Sequence, residues 1–145
     1  MNKVTATAFV AVMAAFSAIP AVGQAKSGDE AKIEALVGAF TAAVNAKDVD
    51  AIMKVYVPDE SLVVFDIIPP RQYVGAKAFR TDWENFVALF KGPVKFEISD
   101  LHVEADGTLG YSHSIQHVSG TDAKGQPIDL LIRPGSSLQR HTITL

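Results

Sequence analysis

Asp66 is the residue whose type and position offer the clearest chemistry. It closes the apolar run Leu62-Val63-Val64-Phe65 and is followed by Pro69, Pro70 and then Gly75. A carboxylate at the end of a buried strand, next to stiff chain, can serve as a general base, because an apolar pocket raises its pKa toward the range useful for proton abstraction. A turn aspartate that bonds backbone ahead of the prolines fits the same spacing. Tyr111, His113 and His117 alternate along a later strand and share one face with Leu109 and Ile115. His113 and His117 are four residues apart, roughly 13 Å along a strand, too far to ligate one metal by themselves. Either can move protons in a cavity or make an ordinary half-buried hydrogen bond. Asp100, His102 and Glu104 also alternate, but Leu101 and Val103 fill the opposite face, so the acidic set reads as the solvated side and not as a metal site. Arg133 ends a strand, where it can hold an anionic group or form a surface ion pair.

The elements that position these residues are legible from spacing. Ser27 with Glu30 makes a capping box, and Ile33, Leu36, Val37, Phe40 and Val44 recur on one helical face. Asp48 can cap a second, shorter helix carrying Val49, Ile52, Met53 and Tyr56. A third helix runs from about Ala76 to Phe90, with Phe79, Trp83, Phe86, Val87 and Phe90 on one face. Rings at that spacing are core first and ligand contacts second. Val94 to Glu104 alternates as a strand, with a one-residue slip at Ser99-Asp100 that implies a bulge. Asp106-Gly107 signals a hairpin, and Leu109 to Ser119 is the return strand, its bulky face expected inward. Gly120 to Pro127 reads as a polar loop before a strand over Ile128 to Arg133. The order predicts an α+β fold, with helices on one face of a mostly antiparallel sheet.

The 145 residues suit one domain. Residues 1–25 read as a signal peptide: Lys3, then an uncharged run from Val4 to Ala18, Pro20, and small residues before a cleavage point at Ala25. That implies a periplasmic or secreted protein, with no membrane contact after cleavage. The remainder, about 120 residues, is enough for one core. There is no cysteine, so an exported form is held by packing, without disulfides. The formal charge is −3 and there is no basic run, which argues against nucleic acid and anionic lipid as partners. No nucleotide loop, zinc-protease helix or Gly-x-Ser-x-Gly elbow is present.

From about Asp29 to Arg133 the chain resembles the nuclear transport factor 2-like superfamily, and within it the SnoaL-like and ketosteroid isomerase-like proteins. The resemblance rests on Asn45-Ala46-Lys47-Asp48-Val49-Asp50 between the first helices, on Phe65-Asp66 with Gly75 nine residues after the acid, and on Phe96 to Asp100 and Gly120 to Gly125. It implies a cone, a curved sheet wrapped against three helices around a pocket for a small apolar or cyclic organic ligand. It also implies cofactor-independent acid–base catalysis by Asp66, and commonly a homodimer through the open sheet face. Tyr56, Tyr73, Trp83, Tyr111, His113 and Arg133 are the candidate pocket groups. The alternative within the resemblance is a non-catalytic ligand-binding or dimerisation domain. Two departures stand out. Phe40 occupies the position of the isomerases' tyrosine, and phenylalanine cannot donate to an oxyanion, so Tyr56, Tyr111 or His113 would have to do so. Residues 134–145 form an atypical tail: Arg133 runs into Pro134-Gly135, and the resemblance stops there. This reads as a truncation or frame shift after Ile132 or Arg133, leaving the sheet without its usual last strand.

Overall fold

The structure is a computed structural model that describes residues 28–66, 69–106 and 108–139, with side chains to Pro134. The expected signal peptide and the last six residues lie outside the described residues. The order is α1 (Gly28–Ala46), α2 (Val49–Met53), β1 (Val63–Phe65), β2 (Gln72–Val74), α3 (Ala76–Ala88), β3 (Lys95–Ala105), β4 (Leu109–Thr121), β5 (Pro127–Ile132) and β6 (Gly135–Gln139). This is the expected α+β arrangement: three helices precede a curved antiparallel sheet and pack on one of its faces.

The first turn between helices is built by the Asn45–Asp50 motif. Lys47 takes a positive φ of 56° just past α1. Its amide donates to the Val44 carbonyl, and that of Asp48 donates to Ala43, which satisfies the last turn of the helix. The Asp48 carboxylate then caps α2 by accepting from the Ala51 amide at 2.9 Å, as its position predicts. Asn45 reaches across to β3. Its amide donates to the Phe96 carbonyl at 2.9 Å and accepts from the Phe96 amide at 2.8 Å. Phe96 turns these groups away from β4, so one side chain satisfies an edge-strand residue as a neighbouring strand would. The Lys47 ammonium donates to the Phe90 carbonyl at 2.6 Å, tying the same turn to the end of α3.

β4 is the longest strand. One edge pairs with β3; the other pairs with β5 over Gln116–Thr121 and with β6 over Leu109–His113. β5 and β6 are therefore one strand path interrupted at Arg133-Pro134. Proline interrupts the ladder there, and pairing resumes at Gly135. Among the described residues no strand pairs with the far edge of β5 or β6.

The bulge expected at Ser99-Asp100 is present. The register slips between Ser99 and His102, and Asp100 has a φ of 50°. The extra residue bends β3 and restores its alternation, so Phe96, Ile98, Leu101 and Val103 face the helices on both sides of the bulge. The core is Ala43, Val44, Ile52, Phe90, Val94, Phe96 and Val118, with Phe40, Tyr56, Trp83, Phe86, Ile98 and Ile128 packed against it.

Two expectations are corrected. The bulky face of β4 points outward, away from the helices. Register pairs Val118 with the core residue Phe96, so Gly110, Ser112, Ser114 and Gln116 share the inner side, while Leu109, Tyr111, His113, Ile115 and His117 share the outer one. The run before Asp66 is not a buried strand either. Val63–Phe65 pairs only with β2 in a separate two-stranded hairpin, where Phe65 is 77 % exposed. β2 is absent from the expectations, because three residues after two prolines carry no periodic signal.

Candidate functional site

The candidate residues fall into two groups on opposite sides of the sheet. The first gathers where α1, α2, α3 and the β1–β2 hairpin meet. Phe40 stands edge-on to Trp83 at 5.5 Å and to Tyr56 at 6.3 Å. Phe79 stands edge-on to Tyr56 at 5.0 Å and lies 5.7 Å from Tyr73. Edge-to-face contacts of this kind suit the ring quadrupole and fix the rings relative to one another. The helical spacing of Phe79 and Trp83 sends both toward this cluster, and Tyr56 arrives from the turn after α2.

Gly75 sets the entry of α3. Its φ is 84°, a conformation that favours glycine, and a Cβ there would also meet the end of the exposed Glu60 side chain, which would have to move aside. The Asp66 amide donates to the Arg71 carbonyl at 3.1 Å, which holds the hairpin end closed. Asp66 is half-buried, and the register that pairs Val64 with Tyr73 puts it on the same face of the hairpin as Tyr73.

Tyr73 donates its hydroxyl to Asp82 at 2.6 Å. That bond to a carboxylate, aided by partial desolvation and by the charges of Asp82 and Asp66, pushes the phenol up to about 12. Asp82 is a partner that sequence reasoning missed. It sits on α3, one residue before Trp83, and nothing in the spacing pairs it with a strand nine residues earlier. Burial raises the Tyr56 phenol well above its ordinary value, and the Trp83 N–H, directed at the phenol oxygen as a donor, acts in the opposite sense. Trp83 Nε1 is buried and, beyond this loose contact with the Tyr56 oxygen, has no hydrogen-bond partner among the described residues.

Tyr111, His113 and Arg133 form the second group, on the outer face. With Asp100, Ser114, Ile115 and Pro134 they line an open cavity of about 380 Å³, and Asp66 is not part of its lining. A neighbouring groove of about 620 Å³ is lined by Glu97, Ile98, Ser99, Ile115, His117, Asp129 and Leu131. His102 and His113, paired in register just past the bulge, stack at 5.0 Å, and His102 Nε2 lies 2.9 Å from Glu104. His117 sits between Asp129, 2.9 Å from Nε2, and Glu97, 3.6 Å from Nδ1. Opposite nitrogens of one ring cannot direct both acids to a single ion. Among the described residues no group of three or more His, Cys, Asp or Glu side chains is arranged to hold a metal. Lys95, followed by His117, holds Glu97 below the usual carboxylate range.

The family model of the SnoaL-like domain matches residues 33–132. Among solved structures, one similar chain is a nuclear transport factor 2-like protein of unknown function from Pseudomonas putida, with 28% identity, a TM-score of 0.68 and coverage of 79% of this chain and 78% of that one. A ketosteroid isomerase-like protein from Erwinia carotovora shares 19% identity at a TM-score of 0.65, covering 81% and 88% of the two chains. A nuclear transport factor 2 superfamily protein from Salmonella enterica shares the fold at a TM-score of 0.70 with 8% identity, covering 79% and 82%. No curated protein matches the chain.

Proposed function

The chain belongs to the SnoaL-like family of the nuclear transport factor 2-like superfamily, and from that premise we propose that it is an exported protein that binds and transforms a small organic molecule beside Tyr56, Tyr73 and Trp83, with Asp66 as the acid–base group. The observation that supports this reading most is the hairpin register: Val64 pairs with Tyr73 and the Asp66 amide bonds Arg71, so Asp66 shares a face of the hairpin with Tyr73, whose ring lies 5.7 Å from that of Phe79. An acid beside fixed rings has both an apolar surface to seat a ring compound and a group to move a proton. Asp66 would take a proton from an acidic carbon of the ligand. It would then return that proton elsewhere, in an isomerisation, or leave a carbanion that expels a leaving group, in an elimination. Tyr73 positions the ligand and does not donate to it, because its proton is committed to Asp82. The name of the ketosteroid isomerase-like structure agrees with proton-transfer chemistry on this fold.

Thermal melting of the processed chain against small cyclic ketones, lactones and aromatic acids tests the reading. At a hundredfold excess over Kd a ligand stabilises the native state by about 2.7 kcal/mol. The expected result is a ligand that raises the melting temperature of the wild type and binds Asp66→Asn with altered affinity. Absence of any ligand-dependent shift across the panel overturns it.

A second reading, an assembly domain, is favoured by the outer sheet face. Leu109, Tyr111 and Leu131 are 57 %, 45 % and 62 % exposed there, beside two cavities. The face mixes acids with bases, from Glu97, Glu104 and Asp129 to Lys95 and Arg133, so two copies related by a twofold axis can match opposite charges. On this reading the protein is a homodimer through that face, whether or not Asp66 is catalytic.

A further inference from the structure

The outer sheet face departs from regular pairing twice at one level, and each departure presents a charge. On β3 the bulge puts Asp100 at a φ of 50°, one residue after Ser99, the partner of Ile115. Bulges re-aim side chains in this way. On the other side of β4, the path of β5 and β6 breaks at Pro134. Gln116 pairs with Ile132 and His113 with Gly135, so Arg133 falls opposite Ile115. Asp100 and Arg133 thus flank Ile115, two strands or roughly 10 Å apart at the backbone. Both line the open cavity of about 380 Å³, together with Tyr111 and His113 of β4. Their neighbours on this face are partnered: Lys95 with Glu97, His117 with Asp129, His102 with Glu104. Asp100 and Arg133 do not pair with each other, and neither side chain has an ion pair or hydrogen bond among the described residues.

We propose that this cavity binds a small zwitterion, a free α-amino acid, with its carboxylate on the Arg133 guanidinium and its ammonium on the Asp100 carboxylate. A guanidinium offers parallel donors that fit a carboxylate, and an aspartate accepts from an ammonium. Ile115 and the Tyr111 ring supply apolar surface for the amino acid's side chain. The wall they belong to is braced, since His113 stacks on His102 at 5.0 Å and stands 5.9 Å from Tyr111. A ligand with one charge satisfies one of the two groups and leaves the other to water, so the pair selects for both charges together. The site lies across the sheet from Tyr56, Tyr73 and Trp83, and it stands whether or not Asp66 is catalytic.

The probes are phenylalanine, 3-phenylpropanoate, which lacks the ammonium, and 2-phenylethylamine, which lacks the carboxylate. Each is titrated into the full processed chain and followed by amide NMR, which reads affinity and place at once. The expected result is saturable shifts around Asp100, Tyr111, His113 and Arg133, with phenylalanine bound about tenfold tighter than either one-charge probe. Arg133→Gln should erase the advantage over phenylethylamine, and Asp100→Asn the advantage over phenylpropanoate. Arg133 is exposed, and asparagine accepts the positive φ of position 100, so both variants should fold. Leu131→Lys, outside this cavity, is titrated alongside, so that a second copy covering the outer face in the wild type does not hide the site. Three results overturn the proposal: no saturable binding in either the wild type or Leu131→Lys, equal affinity for all three probes, or shifts centred on Tyr56 and Trp83. The last of these would place the ligand in the aromatic cluster and support the Asp66 reading instead.

Discussion

Tyr73 donates its only hydroxyl proton to Asp82, and that bond removes it from the groups able to donate to a ligand. The same bond makes a pH prediction. The phenol is raised from 10.0 to about 12 in the folded state, so its stabilising contribution is complete below pH 10 and is lost as pH rises from 10 through 12. Replacing Asp82 by Asn removes the charge and should bring the phenol back toward 10. The phenolate absorbance of wild type minus Tyr73→Phe, compared with the same difference in the Asp82→Asn background, measures this; an unchanged midpoint would count against the Asp82 bond as the cause. Gly75 supports a second expectation at this scale. Gly75→Ala places a Cβ at positive φ and against Glu60, and should cost about 1–3 kcal/mol in a denaturant melt. Adding Glu60→Ala relieves the contact but not the backbone, so only part of the loss should return. Asp66 and Gly75 were legible as a spacing. The Tyr73–Asp82 pair was not, because it joins a three-residue strand to a helix through a turn that no periodicity announces.

At the scale of elements, one side chain holds α1 to the edge of the sheet. Asn45→Ala leaves the Phe96 amide and carbonyl without partners at a buried residue and should destabilise the fold by about 2–3 kcal/mol in chemical denaturation. Asn45→Asp keeps the acceptor and loses the donor, so an intermediate loss is expected; equal stability of all three chains would show that water replaces the side chain freely. The motif Asn45–Asp50 was visible in the sequence, and so was the capping role of Asp48. The role of Asn45 was not, since its partner is Phe96, 51 residues away. The β4 strand teaches the same point in reverse. Its alternation was plain, yet the bulkier face is the outer one. Bulk alone does not choose a face; Val118 does, through its pairing with Phe96 above the helices.

At the scale of the whole molecule, the outer sheet face, and the edge of β5 and β6 that no strand covers among the described residues, are where association would occur. If two copies pair through that face, the processed wild type should sediment as a dimer, and Leu131→Lys, which puts a charge on a 62 % exposed leucine, should shift it to monomer without changing the melt of the helices. A monomeric wild type at high micromolar concentration would remove the assembly reading. The bulge at Asp100, which the sequence marked by a slip in alternation, keeps the apolar residues of β3 on one face along its whole length.

The sequence by itself determined the class of fold, the three helices, the long hairpin and the acid before the third helix, because each is written in local spacing: period 3.6, period 2, a cap or a turn. Only the tertiary structure decided which candidates lie together. Tyr56, Tyr73 and Trp83 meet in one aromatic cluster, while Tyr111, His113 and Arg133 line the far side of the sheet. Strand pairing assigns faces and register, and those depend on partners far away in the chain, so no local pattern could have sorted one group from the other.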